Sequence, residues 1–111
     1  MNAVKEQQDI LAKLAQLISD NADSGYSTAT CVFDFEEDLD GSYAIGEQFA
    51  YVVEGREVST YLVDPDREVS LLVPKLHKLM KEHTGGSWSE MTLTLASDGQ
   101  LKTEFKYPDA S

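Results

Sequence analysis

Two stretches of the chain repeat apolar residues at the spacing of an amphipathic helix. In residues 3–20, and again in a stretch that ends near residue 82, apolar positions recur three and four residues apart and share one helix face. The first stripe is Ile10, Leu11, Leu14, Leu17 and Ile18, and the second is Val69, Leu72, Val73, Leu76, Leu79 and Met80. Pro74 leaves the start of the second helix open. Either regular helix begins near residue 71, or an earlier helix is kinked at the proline.

The rest of the chain alternates apolar and polar residues, the period of strands with one buried side. The pattern predicts strands at residues 26–36, 42–53 and 56–63, and a final hairpin around the Asp98-Gly99 turn. Cys31 lies on the apolar side of the first strand, which predicts a buried, unreactive thiol. Short turns require antiparallel neighbours.

These elements predict a single domain over residues 1–111 with the order α-βββ-α-ββ. Strands and helices that are segregated in this way are typical of the α+β class. We therefore expect an antiparallel sheet of about five strands with both helices packed on one face.

The acidic charge is concentrated in one third of the chain. The 111 residues include 20 Asp and Glu against 9 Lys and Arg, for a net charge of −11. Residues 34–68 carry 11 acids and 2 bases, net −9, whereas residues 1–33 carry −2 and residues 69–111 carry zero. This balance excludes a nucleic-acid-binding surface and favours a basic protein partner. The sequence shows neither a signal-peptide core nor a membrane span, so a cytoplasmic protein is expected.

Candidate catalytic and metal-binding residues are few. Residues 36–47 approach the ligand spacing of a calcium-binding loop, but both flanks alternate like strands, which favours an acidic hairpin turn. His77 and His83 are six residues apart, a spacing that does not place both on one helix face as i, i+4 ligands would be, and each is interpreted as a surface or boundary residue. Phosphate-binding loops and nucleophile motifs are absent from the sequence, so no enzymatic activity, metal or cofactor is expected.

The last hairpin resembles a known family. Residues 87–99 read Ser-Trp-Ser-Glu-Met-Thr-Leu-Thr-Leu-Ala-Ser-Asp-Gly, and residues 101–109 read Leu-Lys-Thr-Glu-Phe-Lys-Tyr-Pro-Asp. A Trp, an alternating Thr/Leu strand, a Ser-Asp-Gly turn and a last strand ending in aromatic-x-Asp are similar to the C-terminal end of the YezG-like immunity proteins. The order of elements is also similar over most of the chain. The resemblance implies an immunity protein that neutralises a cognate secreted bacterial toxin, often a nuclease.

The clustering of charge, and not the resemblance, predicts the contact surface. Carboxylates could cover the basic substrate groove of a nuclease or an adjacent exosite. Tyr61 is a candidate anchor because it lies on the more polar side of its strand. The predicted partner-binding residues are Glu36, Glu37, Asp38, Asp40, Glu47, Glu54, Glu57 and Tyr61.

Other interpretations remain open. We expect a monomer or a weak homodimer, since an exposed edge strand can pair with a second sheet. An acidic adaptor or chaperone-like module would bind a different basic protein by the same physics. A small hydrolase or metal-dependent enzyme is a third class, to which Cys31 or His77 would contribute.

Overall fold

The computed structural model describes residues 3–108 and has the predicted α+β architecture. The elements are α1 (Ala3–Asn21), β1 (Tyr26–Glu37), β2 (Tyr43–Val53), β3 (Arg56–Thr60), α2 (Glu68–Thr84), β4 (Glu90–Ala96) and β5 (Leu101–Lys106). Asp109, the end of the segment that resembles the immunity family, lies outside the described residues.

The five strands form one antiparallel sheet in the order β3-β2-β1-β4-β5. Tight turns explain most of this order, because each connects strands that are neighbours in sequence. Glu54 and Gly55, between β2 and β3, have φ angles of 52° and 74°. Two positive φ angles in a two-residue loop match the twist of a hairpin. The central strand β1 pairs with β2 on one side and β4 on the other.

Both helices pack on one face of the sheet, which we call the helix face. The inward residues of β1 alternate as predicted, and Cys31 and Phe33 are fully buried against helix residues such as Leu14 and Leu76. The opposite face, called the open face, carries the other parity of β1: Thr28, Thr30, Val32 and Asp34. In the described part of the chain, no helix packs on the open face.

The second helix starts earlier than residue 71, which was one of the two starts that the sequence left open. It begins at Glu68 and carries Pro74 in its interior, so the start near residue 71 is wrong. Asp64 stabilises the earlier start, because its carboxylate accepts hydrogen bonds from the backbone N–H groups of Glu68 (2.8 Å) and Val69 (2.9 Å). Two of the four unpaired N–H groups of the first turn are thereby satisfied.

The third strand is shorter than predicted, because it ends at Thr60 and not at residue 63. Leu62 turns into the core and is 7% exposed. Val63 is held at the end of α1, where its N–H donates to Asn21 Oδ1 (2.7 Å) and its carbonyl accepts from Asn21 Nδ2 (3.1 Å). These contacts draw the chain away from the sheet and leave Tyr61 outside the strand.

Candidate protein-binding site

Four of the eight predicted contact residues meet at the hairpin tip, which we define as residues 36–43. They are Glu36, Glu37, Asp38 and Asp40. Asp40 Oδ1 accepts hydrogen bonds from the Ser42 N–H (3.0 Å) and the Ser42 hydroxyl (2.6 Å). The hydrogen bonds from Ser42 lower the pKa of Asp40, so this carboxylate stays ionised well below neutral pH.

Apolar side chains are exposed among these carboxylates. Leu39 lies fully exposed in the loop, and Tyr43 is 51% exposed at the start of β2. The Tyr43 ring stacks on Phe35 with a centroid distance of 5.3 Å, which fixes its position against β1. Glu37 lies 3.6 Å from Lys81 Nζ, an exposed ion pair of small energetic effect. An apolar centre within a charged rim is the arrangement found at protein–protein contacts.

His77 supports the base of the hairpin tip, and its interpretation as a surface or boundary residue is wrong. The side chain is 4% exposed and stacks on Phe35 at a centroid distance of 4.0 Å. Its Nε2 lies 3.0 Å from the Trp88 carbonyl oxygen, which can only accept, so Nε2 carries the hydrogen. The signal was present in the sequence, because His77 follows Val73 by four residues and therefore falls within the apolar stripe of α2.

Protonation of His77 should destabilise the fold. Burial lowers the pKa of His77 below its ordinary value of about 6.5, and Lys81 adds to this effect, while the hydrogen bond to the Trp88 carbonyl and the charge of Glu37 partly oppose it. At pH values above that ordinary pKa, His77 is neutral in both the folded and the unfolded chain. As the pH falls, the unfolded chain takes up the proton first, so the free energy of unfolding decreases until the folded pKa is passed.

Urea unfolding between about pH 8 and pH 5 measures this dependence. We expect the free energy of unfolding of the wild type to decrease as the pH falls over that range. In His77→Phe, most of the decrease that is due to the histidine should disappear. His83→Gln is the matched control, because His83 is exposed. Identical pH dependence in the wild type and His77→Phe would contradict the assignment.

A second group of predicted residues lies along β3 and the neighbouring part of β2. Glu47, Glu57 and Tyr61 line one cavity of about 510 Å³ beside β2, together with Gln48 and Ser59, and Glu47 also lines a cavity on the helix face. Tyr61 is 87% exposed, as predicted, although it lies beyond the end of β3 and not on the strand. We call this group the edge site.

Glu54 stands apart from both groups. It lies in the turn at the far end of β2, whose 11 residues span roughly 35 Å. The eight predicted residues therefore occupy three places on the molecule: the hairpin tip, the edge site and the β2–β3 turn.

The acidic loop is a hairpin turn, as the alternating flanks predicted, because β1 and β2 pair directly on either side of it. Within residues 3–108, no group of three or more His, Cys, Asp or Glu side chains is arranged to hold a metal ion. Cys31 is buried, and that burial raises the pKa of its thiol, as the prediction of an unreactive cysteine requires. No helix among the described residues has the length and apolar character needed to cross a membrane.

Comparison with known proteins finds a relative that is similar to this chain over part of its length. No family model matches the chain. Over 78 residues the chain is 35% identical to a protein of Stenotrophomonas maltophilia described as "Chorionicgonadotropic hormone-like protein". The aligned part covers 69% of this chain and 18% of that relative. The chain thus spans under a fifth of the relative's length, and the similarity concerns that part alone.

Proposed function

We propose that this chain is an immunity protein that binds and neutralises a cognate secreted bacterial toxin. The observation that carries the proposal is the hairpin tip, where the fully exposed Leu39 lies among four acidic residues of the same loop and strand end. Leu39 is the apolar anchor, and the carboxylates form the charged rim that steers and orients the partner.

A nuclease is the toxin class that best suits this surface. Nucleases bind phosphates through Lys and Arg, so their substrate groove is basic. The tip carboxylates would occupy such a groove or a basic exosite beside it and exclude the nucleic acid. The resemblance of the last hairpin to YezG-like immunity proteins supports the same assignment. A cytoplasmic location in the producing cell belongs to this proposal, because the neutralised nuclease would act there.

An acidic adaptor or chaperone-like module is the second candidate. The edge site favours it, because an exposed strand edge with carboxylates beside it can receive many basic partners. The two candidates differ in the consequence of binding. An immunity protein abolishes the activity of its partner, whereas an adaptor leaves the partner active.

The test is co-expression with the product of the neighbouring gene. We expect the two proteins to co-purify, the nuclease activity of the partner to be lost in the complex, and growth of the producing cells to be restored. A stable complex in which the partner remains fully active would favour the adaptor. Failure both to form a complex and to restore growth would overturn the immunity assignment.

A further inference from the structure

Strand β2 is longer than its outer neighbour. Its residues 49–53 pair with β3, whereas residues 43–48 pair with β1 alone. In the region that the structure describes, no strand lies along the outer side of residues 43–48. Half of this sheet edge is therefore open.

The backbone groups that face outward can be read from the hairpin. Asp38 N–H donates to the Ser42 carbonyl at 2.7 Å, so the even-numbered residues of β2 direct their N–H and C=O groups toward β1. The odd-numbered Ile45 and Glu47 direct theirs outward. Proteins commonly protect such an edge with Lys, Pro, a bulge or an inward-pointing charge. The open stretch has no Lys, Pro or bulge, its one charge is Glu47, and Gly46 has no side chain to cover the edge on the open face.

Cavities flank this open edge on both faces of the sheet. On the open face lies the cavity of the edge site, with Gln48 and Tyr61 in its lining. On the helix face lies a cavity of about 430 Å³, lined by Ile45, Glu47 and Asp64 among others. Because side chains of a strand alternate between faces, a strand added here would direct successive side chains into the two cavities.

We propose that an extended segment of the toxin adds to β2 beside residues 43–48, with a Lys or Arg side chain directed toward Glu47 and Asp64. This inference rests on the proposed function for the identity of the partner. The open edge begins at Tyr43, which also belongs to the hairpin tip, so one partner can contact both.

The helix-face cavity favours a cationic side chain. The pKa of Glu47 is raised, first by partial burial and then by the negative charge of Asp64. Arg67 also lines this cavity, but among the described residues no basic nitrogen lies within 4.0 Å of the Glu47 carboxylate. A Lys or Arg from the partner would supply the missing charge and would lower the pKa of Glu47.

Strand addition to β2 can be tested with a cyclic hairpin peptide whose outer strand has the sequence Lys-Val-Lys-Val-Lys. NMR titration should shift the amide signals of Ile45 and Glu47 first. The same peptide with N-methyl groups on its pairing edge keeps its charge and should not bind, which separates strand addition from attraction to an acidic surface.

Three variants sharpen the test. Ile45→Pro removes an outward N–H and should abolish binding of the added strand. The sheet itself should remain paired, because this N–H does not donate a hydrogen bond to β1. Glu47→Gln should weaken binding about tenfold, the effect of losing one charge-assisted hydrogen bond. It should fold normally because the Glu47 side chain is exposed and makes no ion pair with another described residue. Glu104→Gln on the exposed edge strand β5 is the matched control and should bind unchanged.

Other outcomes would overturn the proposal. Absence of binding at about 1 mM peptide, or shifts confined to β5, would show that β2 does not accept a strand. Shifts of Ile45 and Glu47 that grow with protein concentration alone would identify a second copy as the occupant.

The two proposals can fail separately. Peptide binding at β2 without neutralisation of any toxin would refute the immunity function and leave strand addition intact. A neutralised toxin that leaves the amides of Ile45 and Glu47 unprotected from hydrogen exchange would refute strand addition alone.

Discussion

Reversing the charge of the hairpin tip is expected to weaken binding of the proposed toxin about 100-fold and to reduce its dependence on salt. The variant combines Glu36→Lys and Glu37→Lys with Asp38→Asn and Asp40→Asn. Asparagine is used in the loop because Asp40 accepts hydrogen bonds from Ser42, and a carboxamide oxygen can keep them. Association rates measured by surface plasmon resonance at several salt concentrations provide the readout.

The matched control makes the same change in net charge elsewhere. Asp9→Lys, Asp20→Lys and Asp66→Lys add six charges, as the tip variant does, at exposed positions on α1 and in the loop before α2. If the control weakens binding as much as the tip variant, net charge and not the tip is responsible. Leu39→Ser then tests the apolar centre, and an unchanged affinity would show that Leu39 is not an anchor.

Trp88→Ala is expected to lower the free energy of unfolding by about 3–5 kcal/mol. Trp88 is 1% exposed and lies among aromatic rings, with centroid distances of 4.9 Å to His77, 5.7 Å to Phe105 and 5.9 Å to Phe35. These rings join α2 to β1 and β5, so the cavity would loosen three elements together. Urea unfolding measures the loss.

Trp88→Phe is the informative control. Among the described residues, none accepts a hydrogen bond from the buried Trp88 Nε1. Phenylalanine removes that unsatisfied donor while it keeps an aromatic ring, so we expect a loss of about 1–2 kcal/mol. Equal losses in the Ala and Phe variants would mean that the Nε1 group has a partner and that ring volume matters little.

The order of elements was predictable because the relevant signals are local. Alternation in β1, the helical stripes and the turn residues each depend on neighbours within a few positions, and the Asp98-Gly99 turn specifies its own hairpin. Antiparallel pairing of sequential strands then follows from short connections.

The early end of β3 comes from a contact between distant parts of the chain, whereas the burial of His77 and the start of α2 had local signals that the prediction missed. The end of β3 depends on Asn21, which bonds Val63 across 42 positions of sequence. Tyr43 shares the parity of the buried Phe49, yet it is half exposed. Alternation along one strand reveals which side a residue faces, but how far the helices extend over that side depends on their packing.

The sequence predicted which acidic residues belong to the candidate site better than it predicted where they lie relative to one another. The acids of residues 34–68 are adjacent in sequence, but β2 carries Glu54 to the end opposite the hairpin tip. The open half of β2 follows from the early end of β3, so it could not be seen before that end was known.

The position of Cys31 makes this thiol a reporter of opening of the core between the helices and the sheet. Its strand neighbours are Phe49 on β2 and Leu93 on β4, and its side chain is fully buried on the helix face. A thiol reagent requires exposed thiolate, and the packed core withholds both the exposure and the ionisation. The labelling rate of the wild-type protein therefore measures how often this core opens, without an introduced probe.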